Sequence, residues 1–408
     1  MRPLLIATAL VGSLSLHAQA ETADGAALIG QDWAKIAEMA KGGEVNFFHW
    51  GGSDTINRYI VENIGGRLQA EYGITLNSVP VADAAEVVAL IAAEKQVGNV
   101  DAGTVDLIWI NGENFKAMKA EGLAFCGYVE TLPANALVDW TDASIAHDFG
   151  VPVEGCEVPW NRAQFAFAHD SATLAEPPQD IAALLDWIKA NPGQFTYPAP
   201  PDFTGSVFVR HVFYHAAGGP AALMGPFDQA KYDAAAAKTW AILNEIEPFL
   251  WRQGKTYPTT VAQLNDLFAN GEVALTFNYD AAQFGQAVDA GIYPDTVRSY
   301  GLADGTIGNT NYTLIPFNSP NKAAAMVAQD VLLSWEAQLA KADPAVWGAA
   351  TVLSMDQAGA ELAAQFQALP QHPSVVSPNE LAELALPELQ ADWIAAIERG
   401  WIAEVGQK

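Results

Sequence analysis

The chain has 408 residues, with 47 Asp and Glu against 20 Lys and Arg and a formal net charge of −27. Half of it is hydrophobic and only 16% is charged, so it reads as a globular protein of two or three domains and not as a disordered acidic tail. That charge repels phosphate backbones and anionic headgroups, which excludes nucleic acid and argues against peripheral membrane binding. Two cysteines cannot make a disulfide scaffold or a full thiolate zinc site.

The first twenty residues are read as a secretory signal peptide. Arg2 is the positive start, Leu4 to Leu16 the short apolar run, and Ala18-Gln19-Ala20 the small-residue cleavage site. Losing Arg2 leaves 19 basic residues against 47 acidic ones, a mature net charge of −28. No other stretch approaches the roughly 18 apolar residues of a membrane span. An exported chain meets an oxidising space, which permits a disulfide between Cys126 and Cys156. Two free thiols, or one catalytic thiolate, are the alternatives.

Strands and helices then alternate. Residues 31–41 form an amphipathic lead-in helix; Val45 to Phe48 is a strand that stops at His49-Trp50-Gly51-Gly52. Ser53 or Asp54 caps a helix with Ile56, Tyr59, Ile60, Ile64 and Leu68 on one face. Ile74 to Pro80 is a strand, Ala84 to Lys95 a helix, and Val105 to Ile110 a third strand, followed by the turn Asn111-Gly112-Glu113-Asn114 and the helix Phe115 to Ala120. This order implies a parallel sheet with its ligands beyond the strand C-termini. A second unit follows: strand Gln164 to Ala168, helix Ile181 to Ala190, strand Gln194 to Tyr197, and a helix from near Gly205-Ser206. Val273 to Phe277 is a strand, Asn311 to Pro316 another, and Ala323 to Leu339 is helical. No low-complexity linker separates the units, so two α/β lobes meet at an ordered hinge with a cleft between them.

Candidate binding residues lie at strand ends and helix starts. In Pro200-Pro201-Asp202-Phe203-Thr204-Gly205-Ser206, Asp202 or Thr204 caps the helix and Gly205 lets a backbone approach a ligand. The exposed amides there suit an anionic group, and a plain capped turn is the alternative. Trp50, Trp109, Trp251, Phe203 and Tyr279 are aromatic faces for a cation or a flat ring, with Trp160 less firmly placed. Asp202, Glu113 and Asp280 are the counter-charges, and Asn111, Asn114 and Asn278 the polar neighbours. His211 and His215 have zinc-ligand spacing, but Val212 stands where a metalloprotease has glutamate. No Gly-x-Ser-x-Gly elbow or Walker-type loop occurs. No cofactor is expected.

Several segments carry a resemblance. Asn318-Ser-Pro-Asn-Lys-Ala-Ala-Ala325 and Val331-Leu-Leu-Ser-Trp-Glu-Ala-Gln338 are similar to a late motif of bacterial solute-binding proteins, with Trp335 where proline is usual. Trp50-Gly-Gly, Val105 to Phe115, Thr196 to Gly205 and Leu250-Trp-Arg-Gln-Gly254 resemble a periplasmic subfamily related to the thiamine-, polyamine- and iron-type binding proteins. The resemblance implies a non-enzymatic, substrate-binding component of an ABC importer. Its fold would be α/β of the two-lobe periplasmic-binding-protein type II, each lobe a mostly parallel sheet flanked by helices, joined by crossing strands. It divides the chain into signal peptide 1–20, first lobe 21–162, second lobe 163–305, a return across the hinge over 306–345, and a helical segment 346–408 packing outside the lobes. The partners implied are a small polar, cationic and thiamine-like solute and an inner-membrane ABC permease, and the protein is expected to be a periplasmic monomer. Two other classes compete: a cysteine-dependent transferase on the same fold, and a metal binder using His211 and His215.

Overall fold

Strand β1 (Glu44–Trp50) buries Val45, Phe47 and His49 and exposes Glu44 and Trp50, the period of two that a pleated strand imposes. Strands β2 (Thr75–Val81) and β3 (Leu107–Ile110) pair with β1 in parallel, one on each side. Helices join them: Asp54–Tyr72, in three consecutive helical segments, and Ala84–Gln96. The Ser53 hydroxyl accepts from Ile56 N and the Asp83 carboxylate from Ala85 N, each satisfying an orphan donor at a helix start. The computed structural model describes residues 25–406, so the expected signal peptide lies outside the described residues.

The short hairpin β4 (His147–Asp148) and β5 (Val151–Pro152) precedes the long strand β6 (Glu157–Gln164). Strand β7 (Ala166–Asp170) continues β6 after Phe165 and is flanked by β8 (Leu275–Asn278) and β9 (Val297–Tyr300). Strand β10 (Thr306–Leu314) pairs antiparallel with both β6 and β3, and β11 (Ala385–Leu386) joins the start of β10 in parallel. Three sheets result among the described residues: β11-β10-β3-β1-β2 with β6 also on β10, β8-β7-β9, and the two-stranded β4-β5 hairpin.

The two-lobe α/β architecture thus holds, with one local difference. Parallel pairing was expected in both lobes, yet β8 and β9 each run antiparallel to β7. The central strand enters from the first lobe, so its direction is set by the crossing and not by the helices of the second. The expected strand Gln194–Tyr197 does not form: Phe195, Thr196 and Tyr197 are buried but Gln194 is exposed, and the segment's carbonyls take isolated backbone bonds, Gln194 O from Ala274 N and Phe195 O from Trp251 N.

The crossing is legible in the cores. Val158 and Trp160 of β6 belong to the first lobe's core and Phe165 to the second's; Ile307 on β10 and Ile315 just beyond its end make the reverse passage. Phe165 N donates to Ile307 O and Gln164 N to Tyr279 O, which fixes the two strands where they change lobes. The C-terminal chain also divides. Trp347, Val352 and Leu353 pack in the first core, whereas Leu381, Leu389, Trp393, Ile397 and Trp401 pack in the second.

Candidate functional site

A cavity of about 610 Å³ opens where the crossing strands leave the first lobe, well within the range of small-molecule sites. Arg162, Ala163 and Gln164 of β6 and Gly308, Asn309 and Thr310 of β10 form its back. The first lobe contributes the β4–β5 hairpin, His147 to Gly150, and the second lobe the turn Tyr279 to Ala282 after β8. Ala143, Ser144 and the turn Leu223 to Gly225 add to the lining, and a further wall comes from the C-terminal chain, Gly348 to Ala350 and segments between Val375 and Gln390. This corrects the expectation that residues beyond 346 only cover the outside. The cause is the helix Ala391–Trp401, whose apolar face sinks into the second core and draws the preceding turn across the cleft.

The hairpin is shaped by Phe149 and Gly150, whose φ values of 44° and 76° are those of a two-residue link. It sets Asp148 at the start of the helix Gly112–Ala120, where Asp148 Oδ2 accepts from Gly112 N at 2.7 Å. Burial nevertheless pushes the Asp148 carboxyl well above the usual range, against that hydrogen bond and with help from the Glu113 charge. Asp280 is also raised by burial, against the donor Trp347 Nε1 at 2.8 Å. The other charged walls are paired: Arg162 with Asp142 at 2.7 Å, and Glu388 with the buried Arg210 at 2.8 Å. The Tyr279 hydroxyl is buried without a hydrogen-bond partner, and so are both side-chain polar atoms of Asn309.

Of the residues singled out in the sequence, Tyr279 and Asp280 line this cavity. Phe203 stands beside them, half exposed, its ring edge-on to Tyr279 at 5.2 Å and 5.7 Å from the Arg210 guanidinium. Asn278 instead serves the turn: its amide donates to Gln283 Oε1 and its oxygen accepts from Asp280 N. The loop before the helix Phe203–Ala217 has a structural explanation for each member. Asp202 caps it, accepting from Gly205 N at 2.8 Å and Val261 N at 3.3 Å, so that neither its charge nor the Gly205 amide faces a ligand. A Cβ on Gly205 would lie 2.0 Å from Pro198 O, so the close backbone approach is to the chain itself. Thr204 is buried; Ser206 donates to Glu398 Oε1 and accepts from Arg210 Nη1. Pro200–Pro201 is a cis peptide bond.

The first-lobe candidates gather at the ends of β1 and β3, outside the cavity lining. Trp109 Nε1 and Asn111 Nδ2 both donate to Asn311 Oδ1, and Trp109 lies edge-on to the buried Trp160 at 4.7 Å. The Trp50 indole folds over Gly52, where a Cβ would come within 2.1 Å of the ring; Gly51 packs on Pro80, and Ser53 is the helix cap. Glu113 is exposed and Asn114 half-buried on the following helix. Trp251 is outside the cavity lining, covered by Arg252 at 4.1 Å and donating to Glu272 Oε2. Sequence reasoning missed Asp148, Arg162, Gln164 and Asn309. A Phe-Gly hairpin link between two short strands was the available signal.

The alternatives meet specific obstacles. Cys126 and Cys156 are joined in a disulfide, and neither lines the cavity. Both nitrogens of His211 are engaged, Nδ1 with Val207 O and Nε2 accepting from Ile307 N, and burial lowers the ring to about 3. His215, its zinc-spaced partner, is exposed. Among the described residues no helix is long and apolar enough to cross a membrane.

The family described as "Bacterial extracellular solute-binding protein" matches residues 65–374. Protein YnjB of Escherichia coli (strain K12) is 39% identical over 401 residues, covering 97% of this chain and 98% of its own. A lipoprotein of Treponema pallidum superposes with a TM-score of 0.65 at 12% identity, covering 88% of this chain and 99% of that one. A spermidine/putrescine ABC transporter substrate-binding protein from Streptococcus pneumoniae gives a TM-score of 0.63 at 13% identity, covering 89% and 98%. A cavity at crossing strands, an α/β fold in two lobes and a match over most of the chain agree: this protein belongs to the bacterial extracellular solute-binding proteins of ABC transporters.

Proposed function

We propose that the protein, acting as a periplasmic monomer after loss of residues 1–20, captures a small polar cationic solute in the interlobe cavity and passes it to an ABC permease in the inner membrane. The carrying observation is the charge on the cavity wall. Arg162 and Glu388 are each neutralised by a partner, and Asp280 is hydrogen-bonded and lies in the field of Lys341. Asp148 has no cationic partner among the described residues. A positive group on the solute supplies the missing charge, and the Tyr279 and Phe149 rings, which also line the cavity, suit a flat or cationic moiety. Thiamine has both features. Capture needs no chemistry, only greater affinity for the closed arrangement of the lobes.

Calorimetric titration of ligand-stripped protein with thiamine, its phosphates, spermidine and putrescine tests this. Saturable heat with at least one is expected. No heat with any of them, or preference for an anionic solute, rejects the cationic reading.

A further inference from the structure

Behind Asp148 lies a second carboxyl. Asp148 and Glu157 are 1% and 0% exposed, yet Asp148 Oδ1 and both Glu157 oxygens lack hydrogen-bond partners. Only Asp148 Oδ2 is satisfied, by Gly112 N. Each group feels the other's field or that of a further acid, Glu157 that of Asp148 and Asp148 that of Glu113. Nearby donors are committed elsewhere. From the helix Gly112–Ala120, Lys119 binds Pro152 O and Glu154, reaching Glu157 only at long range. From β10, the Tyr312 hydroxyl donates to Ile145 O; from the loop before β4, the Tyr128 hydroxyl donates to Gln329. Arg162, on the same strand as Glu157, is held by Asp142, and His147 beside Asp148 is exposed on the cavity wall.

Two buried acids with three unsatisfied oxygens and no cation cannot both be ionised, because the interior neither hydrates nor screens them. A neutral carboxyl beside one carboxylate resolves the conflict, as in other coupled pairs. We propose that Asp148 and Glu157 hold one proton between them while the cavity is empty and release it to solvent when a single positive group of the solute settles against Asp148. The exchange leaves the charge of the buried region unchanged: one proton departs as one cation arrives. Asp148 becomes the recognition carboxylate, and Glu157 a positioning group that makes recognition dependent on pH. The inference rests on the cation-capture reading but has a readout of its own.

Infrared difference spectra of solute-free protein at neutral pH, wild type minus Asp148→Asn/Glu157→Gln, test the first half. A protonated-carboxyl stretch is expected in the difference; its absence overturns the proposal whatever the protein binds. Titration with thiamine and spermidine in two buffers of different ionisation heat tests the second half. Expected is release of about one proton per solute and a dissociation constant falling about tenfold per pH unit near neutrality. Glu157→Gln alone, checked for folding by its melting curve, is expected to abolish proton release and flatten the pH dependence. Binding without proton release overturns the exchange and leaves cation capture standing. If neither probe binds at any pH although the band is present, capture of a cation fails and the exchange fails with it.

Discussion

Gly205 shows how one position can be read two ways. Its place at a helix start suggested a backbone cleared for a ligand, whereas the clearance serves Pro198 O, 2.0 Å from where a Cβ would sit. Gly205→Ala is therefore expected to destabilise the second lobe by about 1–3 kcal/mol through forced backbone movement, seen as a lower urea midpoint. An unchanged midpoint means the loop relaxes freely and the packing argument fails. The Asp202 cap was legible because an acid three residues before a glycine amide at a helix start obeys a local rule. Asp148 was not legible. In His-Asp-Phe-Gly it looks like any loop acid, and only the chain folding over it removes its water.

Local rules also explain which elements the sequence revealed. The helix Ile181–Ala190 was expected over those same residues, since Asp180 caps it and Ile181, Leu184, Leu185 and Ile188 form one buried stripe. Strand β6 was missed because Pro159 and the polar Asn161, Arg162 and Gln164 interrupt any strand pattern. It is stabilised instead by its partner: Pro159 pairs with Tyr312 beside the register shift at Asn311/Tyr312, where the missing N–H is tolerated. The Cys126–Cys156 bond, spanning 30 residues, ties the start of this strand to the loop before the hairpin. Replacing both cysteines by serine is expected to cost about 2–4 kcal/mol by freeing the unfolded chain. Urea unfolding with and without reductant measures it; equal midpoints sink the claim. The hairpin carrying Asp148 lies inside the closed segment, so solute affinity should weaken together with stability.

At the scale of the molecule, the lobes are joined by adjacent strands and not by a loose tether, and the cavity lies at their junction. Such a joint bends about a narrow axis, so solute binding should shrink the particle without changing its secondary structure. Small-angle scattering with a binding solute is expected to show a smaller radius of gyration and an unchanged far-ultraviolet spectrum. An identical radius excludes hinge closure as the mode of capture. The two-lobe plan was readable from alternating strand and helix signals. The cavity was not, because its walls come from segments distant in sequence: residues 147–150, 162–164, 279–282, 308–310 and 375–390.

That last segment has a consequence for how the protein comes into being. Leu386 adds a strand partner to Ile307 on the crossing strand, and Glu388 closes the cavity wall from its bond to Arg210. Leu381, Leu389, Trp393, Ile397 and Trp401 also complete the second core, so the second lobe and this wall of the cavity are finished together, once the end of the chain is in place. Without residues 375–390 one wall of the cavity is missing and the Arg210 guanidinium loses its Glu388 partner. A chain clipped ahead of this segment is therefore expected to lose solute binding together with the fold of its second lobe.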